Sequence, residues 1–395
     1  MLTQYDEFPV HQYAYPFSEL PSNDLNWDDG YFFGVYNAEA KLFLYTGMRV
    51  TPNANMIGAY AGVSLAGRQL TVRSSRTWRQ NVDTSVGPIR YEFTKPFREI
   101  RLVCEQNASP VSFDLRWLAT APAHEEAHHY AKNGGRVTTD QTRYAQAGTA
   151  EGWIEVEGER YEVTPFEWYA DRDHSWGLYE PRSPLSDPKE WLPPAESAGG
   201  QRMLRFWMPF SAREYSGFFH FHEDEHGGQV GLNDAFGTPF EGALDFGWDA
   251  EKPRLHFVKG EHELTFLPGT RVIEGGTIRL EDEHGRDWRV TLEHVCMPWT
   301  TFPIGYYQGT WNDGGNIHTY HGPDDPYVEW DEVDFSSQPA KYTLRGEKGR
   351  TFDKVYGAEY VFKCRTEGPE GTSEGLSHVE FFMHRRYSRY QPQDG

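Results

Sequence analysis

The chain has 395 residues, with 38 Lys+Arg against 59 Asp+Glu and a formal net charge of −21. So acidic a balance argues against nucleic acid as the main partner, because phosphate binding needs a basic surface. It argues equally against docking on an anionic membrane through a polybasic patch. Aromatic residues make up 15% of the chain (25 Phe, 23 Tyr, 13 Trp), which excludes a disordered chain and points to a core built from rings.

The opening residues, MLTQYDEFPVHQYAYPF, show no basic segment followed by an apolar one, so no secretory signal is expected. No run approaches 18 apolar residues, and membrane insertion is not expected. Cys104, Cys296 and Cys364 are far apart and form neither a CxxC motif nor a disulfide framework. The expectation is a soluble, cytoplasmic protein in a reducing compartment. Nothing in the sequence sets its oligomeric state.

In chain order, strands are predicted over Tyr31–Tyr36, Lys41–Val50, Leu70–Ser75 and Ile100–Glu105. Next, Val111, Phe113, Leu115 and Trp117 alternate with Ser112, Asp114 and Arg116, the pattern of a half-buried antiparallel strand. Ala121–Lys132 is the best short helix candidate. A hairpin follows, from Gly152-Trp-Ile154-Glu-Val156 through Gly158 to Tyr161-Glu-Val163. Pro181 to Gly200, with its prolines and paired glycines, fits a linker or long surface loop. Beyond it, strands are predicted over Leu204–Phe210, Gly217–His222 and Glu263–Leu267. A second hairpin runs from Gly276-Thr-Ile278-Arg-Leu280 through Gly285 to Trp288-Arg-Val290. Tyr342–Leu344 and Tyr360–Cys364 complete the set. The two hairpins share their inward apolar positions and start 276 − 152 = 124 residues apart. Such hairpins also recur by chance in β proteins; taken as a repeat, they imply two related β domains, 1–185 and 186–395. The fold class is all-β, in sandwiches or barrels.

The densest run of reactive side chains is Trp168-Tyr-Ala-Asp171-Arg172-Asp173-His174-Ser175-Trp176-Gly177. If extended, Arg172, His174 and Trp176 point one way, and Asp171, Asp173 and Ser175 the other. A histidine held inside beside a Trp can donate or accept a proton near neutral pH. The plainer reading is a buried network in which the acids bind Arg172 and backbone amides.

Arg172-Asp-His-Ser-Trp-Gly177 resembles the central motif of the AttH-like and carotenoid 1,2-hydratase (hydroxyneurosporene synthase) superfamily. Arg143-Tyr144-Ala-Gln146-Ala-Gly148 with Gly152-Trp153-Ile154, and Gly305-Tyr306-Tyr307-Gln-Gly309-Thr-Trp311 followed by Glu329-Trp330, are similar to it as well. The resemblance spans roughly residues 25–360. It implies two tandem lipocalin-like β domains enclosing an apolar cavity. Some members hydrate isoprenoid alkenes, relatives cyclise or isomerise hydrophobic substrates, and many have no known activity. On this resemblance His174 and Trp176 match positions implicated in hydration. Adding water across an alkene begins with proton transfer to carbon, so Trp176 would offer a ring face to the cation and His174 would position water or take its proton. Tyr169, His220, His222, Tyr306 and Trp311 are the candidates for lining the substrate cavity. Asp171, Arg172 and Asp173 are the candidates for a structural network, with Asp173 accepting from backbone or from an Arg. One departure stands out: the carotenoid hydratases also use a downstream Tyr and Asp one residue apart, and His220-Phe-His222-Glu-Asp224 occupies roughly that region here.

Two further patterns bear on metal. His220-x-His222-x3-His226, with Asp224 and Glu225 nearby, is similar to the first metal motif of cupins, but its acid spacing is one residue short and no second motif follows. His124-Glu125-Glu126-Ala127-His128 satisfies HExxH, but Pro122 precedes it, Asn133-Gly134-Gly135 follows it, and no apolar face accompanies it. No metal is therefore expected. Asp324-Asp325 and Glu332/Asp334 read as acidic surface loops. Phosphate-binding and nucleophile-elbow motifs are missing, and no organic cofactor is implied. The expected function is an acid–base enzyme on a terpenoid, steroid or aromatic compound, with hydratase/dehydratase first and isomerase or cyclase next. The competing reading is a non-catalytic binder of an apolar ligand.

Overall fold

The computed structural model describes residues 7, 9, 14–78, 83–133, 135–179, 202–230, 238–248, 251–268, 271–296, 298–306, 309–335, 340–344, 350–352 and 357–390. The Pro181–Gly200 stretch lies outside them. The strands before it are β1 (Trp27–Asn37), β2 (Leu42–Thr51), β3 (Met56–Leu65), β4 (Arg68–Thr77), β5 (Ser85–Val86), β6 (Ile89–Lys95), β7 (Glu99–Cys104), β8 (Val111–Ala119), β9 (His124–Glu125), β10 (His129–Asn133), β11 (Arg136–Val156), β12 (Glu159–Val163) and β13 (Tyr169–Tyr179). After it come β14 (Leu204–Ala212), β15 (Ser216–Glu223), β16 (Phe240–Asp245), β17 (Leu255–Phe266), β18 (Ile273–Asp282), β19 (Asp287–His294), β20 (Tyr327–Asp334), β21 (Ala340–Leu344), β22 (Arg350–Phe352), β23 (Gly357–Gly368) and β24 (Gly371–Met383). Among the described residues there is no α-helix.

The strands form two lipocalin-like units. One is a large sheet in the order β22-β21-β20-β4-β3-β2-β1-β13-β11-β8-β7-β6-β5; the other is a closed barrel, β14-β15-β16-β17-β18-β19-β23-β24. The first sheet curls over its own core: Val35, Leu44, Ile57 and Val72 pack in one cluster with Leu102, Phe113, Leu115 and Trp117 from its far end. The barrel holds a second core around Phe206, Phe219, Ile278, Val290, Phe362 and Phe381. Inside the first sheet, two glycines make room for rings on the neighbouring strand. A Cβ on Gly47 would meet the Tyr60 hydroxyl at 2.2 Å, and one on Gly62 would meet that of Tyr45 at 2.4 Å. Both are register partners of the Tyr that covers them.

Period-two alternation locates the strands well. Val111, Phe113, Leu115 and Trp117 are all fully buried while Arg116 is exposed. The predicted helix over Ala121–Lys132 does not form. Those residues supply β9 and β10, both paired to β11. The physical reason is the absence of an apolar helical face; the segment instead satisfies its backbone on a free stretch of the 21-residue β11. Both echoing segments are hairpins, β11–β12 and β18–β19. The first sheet is not confined to residues before 185: β20 pairs with β4, and β21 and β22 continue outward from β20. A third aromatic cluster, with Tyr36, Phe43, Tyr45, Trp299, Trp311 and Val361, cements the two units together.

Candidate active site

β13 lies between β1 and β11, and its two faces open on different spaces. Arg172, His174 and Trp176 face a cavity of about 510 Å³ walled by Tyr31, Tyr91, Phe93, Phe97 and Tyr144. Asp173 faces a cleft of about 200 Å³ between the sheet and the barrel. The alternation expected of Asp171 to Trp176 is the one the strand adopts.

In the aromatic cavity, His174 stacks on Tyr31 (ring centroids 4.1 Å apart, 30° between planes) and leans against Trp176 at 5.0 Å. Its Nε2 lies 2.7 Å from Asp29 Oδ1, and its Nδ1 lies 3.2 Å from the Tyr144 hydroxyl. A carboxylate only accepts, so Nε2–H donates to Asp29 and Nδ1 is left to accept from the Tyr144 O–H. Register places these groups together: Tyr144 and Tyr31 both sit directly opposite His174, on β11 and β1. Burial raises the pKa of the Tyr144 phenol, while Arg172 pulls the other way. Arg172 is buried and donates through Nε and Nη2 to the single amide oxygen of Gln146, at 3.0 and 2.7 Å. Its guanidinium lies 5.0 Å from the Trp117 ring and 5.1 Å from Tyr144. Burial lowers its pKa. Arg172 therefore answers to an amide and to ring faces, and the expected pairing of Asp171 and Asp173 with it is not made.

Those two acids work on the opposite face. Asp173 binds Arg143, as expected of an acid pointing away from His174. Asp171 Oδ2 accepts from Nδ1 of His378 on β24 at 2.9 Å, and Nε2 of His378 donates to Glu359 Oε2 on β23, also at 2.9 Å. Burial opposes a charge on His378, but Asp171 and Glu359 outweigh it and raise its pKa to about 10. Burial pushes Glu359 up to about 7 against the pull of His378. Burial also works against ionised Glu380, but Arg205 grips it at 2.9 and 3.0 Å and holds it at about 2. Arg49, Tyr60, Tyr306, Trp207 and Trp299 complete the cleft. Of its charge pairs, His378–Asp171 crosses between the two units, whereas Arg143–Asp173 lies within the first sheet and Arg205–Glu380 and His378–Glu359 within the barrel.

The remaining candidates divide. Tyr306 lines the cleft and shares a hydrogen bond with Tyr60 at 2.9 Å. Trp311 lines neither space: it is fully buried and stacked on His321 at 4.1 Å. Tyr169 is buried in the aromatic cluster between the units. His220 and His222 stack on each other at 4.5 Å on the face of β15 turned away from the barrel core, and burial lowers His220 to about 4. His222 meets Arg205 at 3.2 Å, whereas His226 lies at the surface near Ser388, so the three-histidine set does not converge. Sequence reasoning overlooked Asp29, Glu359 and His378. The available signal was a charged residue alternating with core residues of a strand, as in Glu359-Tyr-Val361 and His378-Val-Glu380, where Tyr360 and Val379 point into the barrel.

The chain belongs to a family of unknown function, DUF8625, whose model matches residues 2–337. No curated protein matches its sequence. Similar solved structures include kievitone hydratase from Nectria haematococca, at 12% identity and a TM-score of 0.46, covering 97% of this chain and 96% of that one. CghA with Sch210972 is similar at 8% identity and a TM-score of 0.47, covering 91% and 89%. CghA without it is similar at 9% and 0.44, covering 91% and 88%. Likenesses of this degree assign no chemistry to the present chain. Among the described residues no helix is long and apolar enough to cross a membrane.

Proposed function

We propose that the chain is an acid–base enzyme that uses its own side chains on a hydrophobic small molecule bound in the aromatic cavity of β13. Hydration or dehydration is the first reaction class, and isomerisation or cyclisation the next. One observation carries this reading: Asp29, His174 and Tyr144 form a hydrogen-bonded relay that opens onto a ring-lined space. A cavity of about 510 Å³ falls within the range of small-molecule sites, roughly 300–1,000 Å³, whereas the cleft of about 200 Å³ falls below it. In this relay Asp29 holds the imidazole in one tautomer; as the substrate gives up a proton Tyr144 takes it while its own phenolic proton moves to His174, and the reverse transfer from the imidazolium through Tyr144 returns a proton to the substrate. Arg172 stands ready for an oxygen that gains negative charge, and Trp176 and Tyr31 offer ring faces to a cationic carbon. The substrate classes that suit the walls are terpenoids, steroids and polycyclic aromatics.

The test is incubation with a panel of such compounds in D2O, read by mass spectrometry for deuterium uptake or gain or loss of water. The expected result is turnover that disappears in His174→Ala and persists in Asp173→Asn. Compounds that raise the melting temperature without any exchange would instead make the protein a binder of apolar ligands.

A further inference from the structure

Two sequence patterns that point to metal separately, the HExxH run and the His220 strand, meet in space. His124 and Glu126 are buried and Glu125 between them is exposed, so the run is extended and His128 does not join His124. His128 is instead at the surface, 2.7 Å from Asp140. His124 and Glu126 face the barrel strands β15 and β16, where His220 and Glu241 are register partners. Glu126, His220 and Glu241 each offer a ligand atom, all within 4.8 Å of one another. His124 Nε2 lies 3.7 Å from Glu241 Oε2, and His220 Nδ1 lies 3.8 Å from Glu126 Oε2.

The hydrogen positions make this arrangement unsatisfied as it stands. Nε2 of His220 is 3.1 Å from the carbonyl oxygen of Thr238, which only accepts, so Nε2 carries the hydrogen and Nδ1 presents a lone pair. That lone pair faces Glu126 Oε2, another acceptor. Both atoms are buried and neither makes a hydrogen bond. The other oxygen of Glu126 is held by Trp207 Nε1 at 3.1 Å, with Arg143 Nε at 3.4 Å. Both ring nitrogens of His124 are buried without a hydrogen bond as well. Buried acceptors aimed at one another without a proton between them are unfavourable. A cation between them removes the conflict.

We propose that Glu126, His220 and Glu241, with His124 beside them against Glu241, bind a divalent first-row transition ion of the Zn²⁺ type, which clasps the first sheet to the barrel. An imidazole with two carboxylates suits such an ion better than Ca²⁺ or Mg²⁺, which prefer an all-oxygen set. Bonds of about 2.0–2.1 Å at the tetrahedral angle put neighbouring ligand atoms about 3.4 Å apart, close to the 3.8 Å between His220 Nδ1 and Glu126 Oε2. The surroundings orient the ligands: a carbonyl on His220, an indole on Glu126, and the Ala127 N–H on Glu241 at 2.9 Å. Glu126 comes from the first unit and His220 and Glu241 from the barrel, so the role assigned to the ion is structural. The expectation of no metal takes each pattern alone, one without a second motif and the other without a helical context; alternation and register bring residues of the two together.

The experiment uses the full chain, stripped with a chelator and titrated with Zn²⁺ and with Co²⁺. One equivalent of Zn²⁺ is expected to bind with a Kd in the micromolar range or tighter and to raise the melting temperature by about 3 °C or more. Co²⁺ is expected to show the visible bands of a four-coordinate site. Glu241→Gln, at the most accessible ligand, is expected to melt like the stripped wild type and to bind at least about 10-fold more weakly. If that variant does not fold, Glu126→Gln serves the same purpose. A wild type that neither binds Zn²⁺ or Co²⁺ in stoichiometric amount nor gains melting temperature would overturn the proposal and leave a buried water as the bridging group. Binding unchanged in both variants would overturn it equally.

Discussion

The two faces of β13 treat charge in opposite ways. On one, Arg172 is buried among rings and its guanidinium answers to a neutral amide, while His174 is held by a half-exposed Asp29 and a phenol. On the other, His378 sits between two carboxylates, Asp173 holds Arg143, and Arg205 holds Glu380. The first face leaves proton-transfer groups and one cation directed at a space large enough for a ligand. The second pairs its charges with one another, and through His378 and Asp171 one of those pairs joins the two units. A single extended segment delivers both because successive side chains point to opposite sides. The contrast teaches that density of titratable groups does not mark a catalytic site; what matters is whether their partners are already supplied.

Several substitutions sharpen or break this contrast. His174→Ala removes the relay and is expected to lower turnover by roughly 10²–10⁴ while the melting temperature changes little. Steady-state rates on the true substrate, measured beside thermal melts, check this; near-normal turnover would move catalysis off this face. His378→Leu leaves Asp171 and Glu359 buried without their cation and is expected to cost about 3–5 kcal/mol of stability, read by urea unfolding. Asp173→Asn weakens the hold on Arg143 and is expected to lower stability by about 1–3 kcal/mol, with turnover close to wild type.

The clamp also predicts a pH dependence. The pKa of His378 is raised in the folded state, so its stabilising contribution is fully present below its ordinary value near 6.5 and is lost as pH rises through about 10. Glu359, raised to about 7, likewise favours the folded state toward lower pH. Stability is therefore expected to fall from pH 6.5 to 10, by at most about 1.4 kcal/mol per pH unit for each proton involved. The difference between wild type and His378→Leu isolates the effect, and parallel curves would contradict it. The smallest change expected is at Trp176. Phe there keeps a ring and should reduce turnover less than Ala does, as a side-by-side rate comparison would show.

The strands were largely legible because alternation is a local signal: Val111 to Trp117 and Asp171 to Trp176 each declare their faces within a few residues. The segment at His124 misled because its i, i+4 spacing suggests a helix, while the alternating burial of His124, Glu125 and Glu126 is set by β11 and the barrel. Tyr169 and Trp311 illustrate another limit. An aromatic residue beside a site motif packs as readily into an interface as around a ligand. Glu359 and His378 were hidden for a longer-range reason. Asp171, the partner of His378, is 207 residues from it, and no local pattern specifies which acid of the first sheet a histidine on the outer face of the barrel will meet. Tyr144 stood in a quoted motif, but its role depends on the register of β11 against β13.

The pairing of β20 with β4 has a consequence for how the protein is made. Arg73, fully buried in β4, finds its counter-ions in Glu329 and Asp331 of β20. During synthesis, β4 emerges some 250 residues before the strand that covers it, as the 256-residue separation of Arg73 and Glu329 records. Until then the edge of β4 presents open backbone groups and a cation awaiting partners, the condition under which strands pair with the wrong neighbour. The first sheet therefore matures last along that edge. A fragment ending at residue 185 would be left with it bare, prone to self-association rather than a smaller version of the protein.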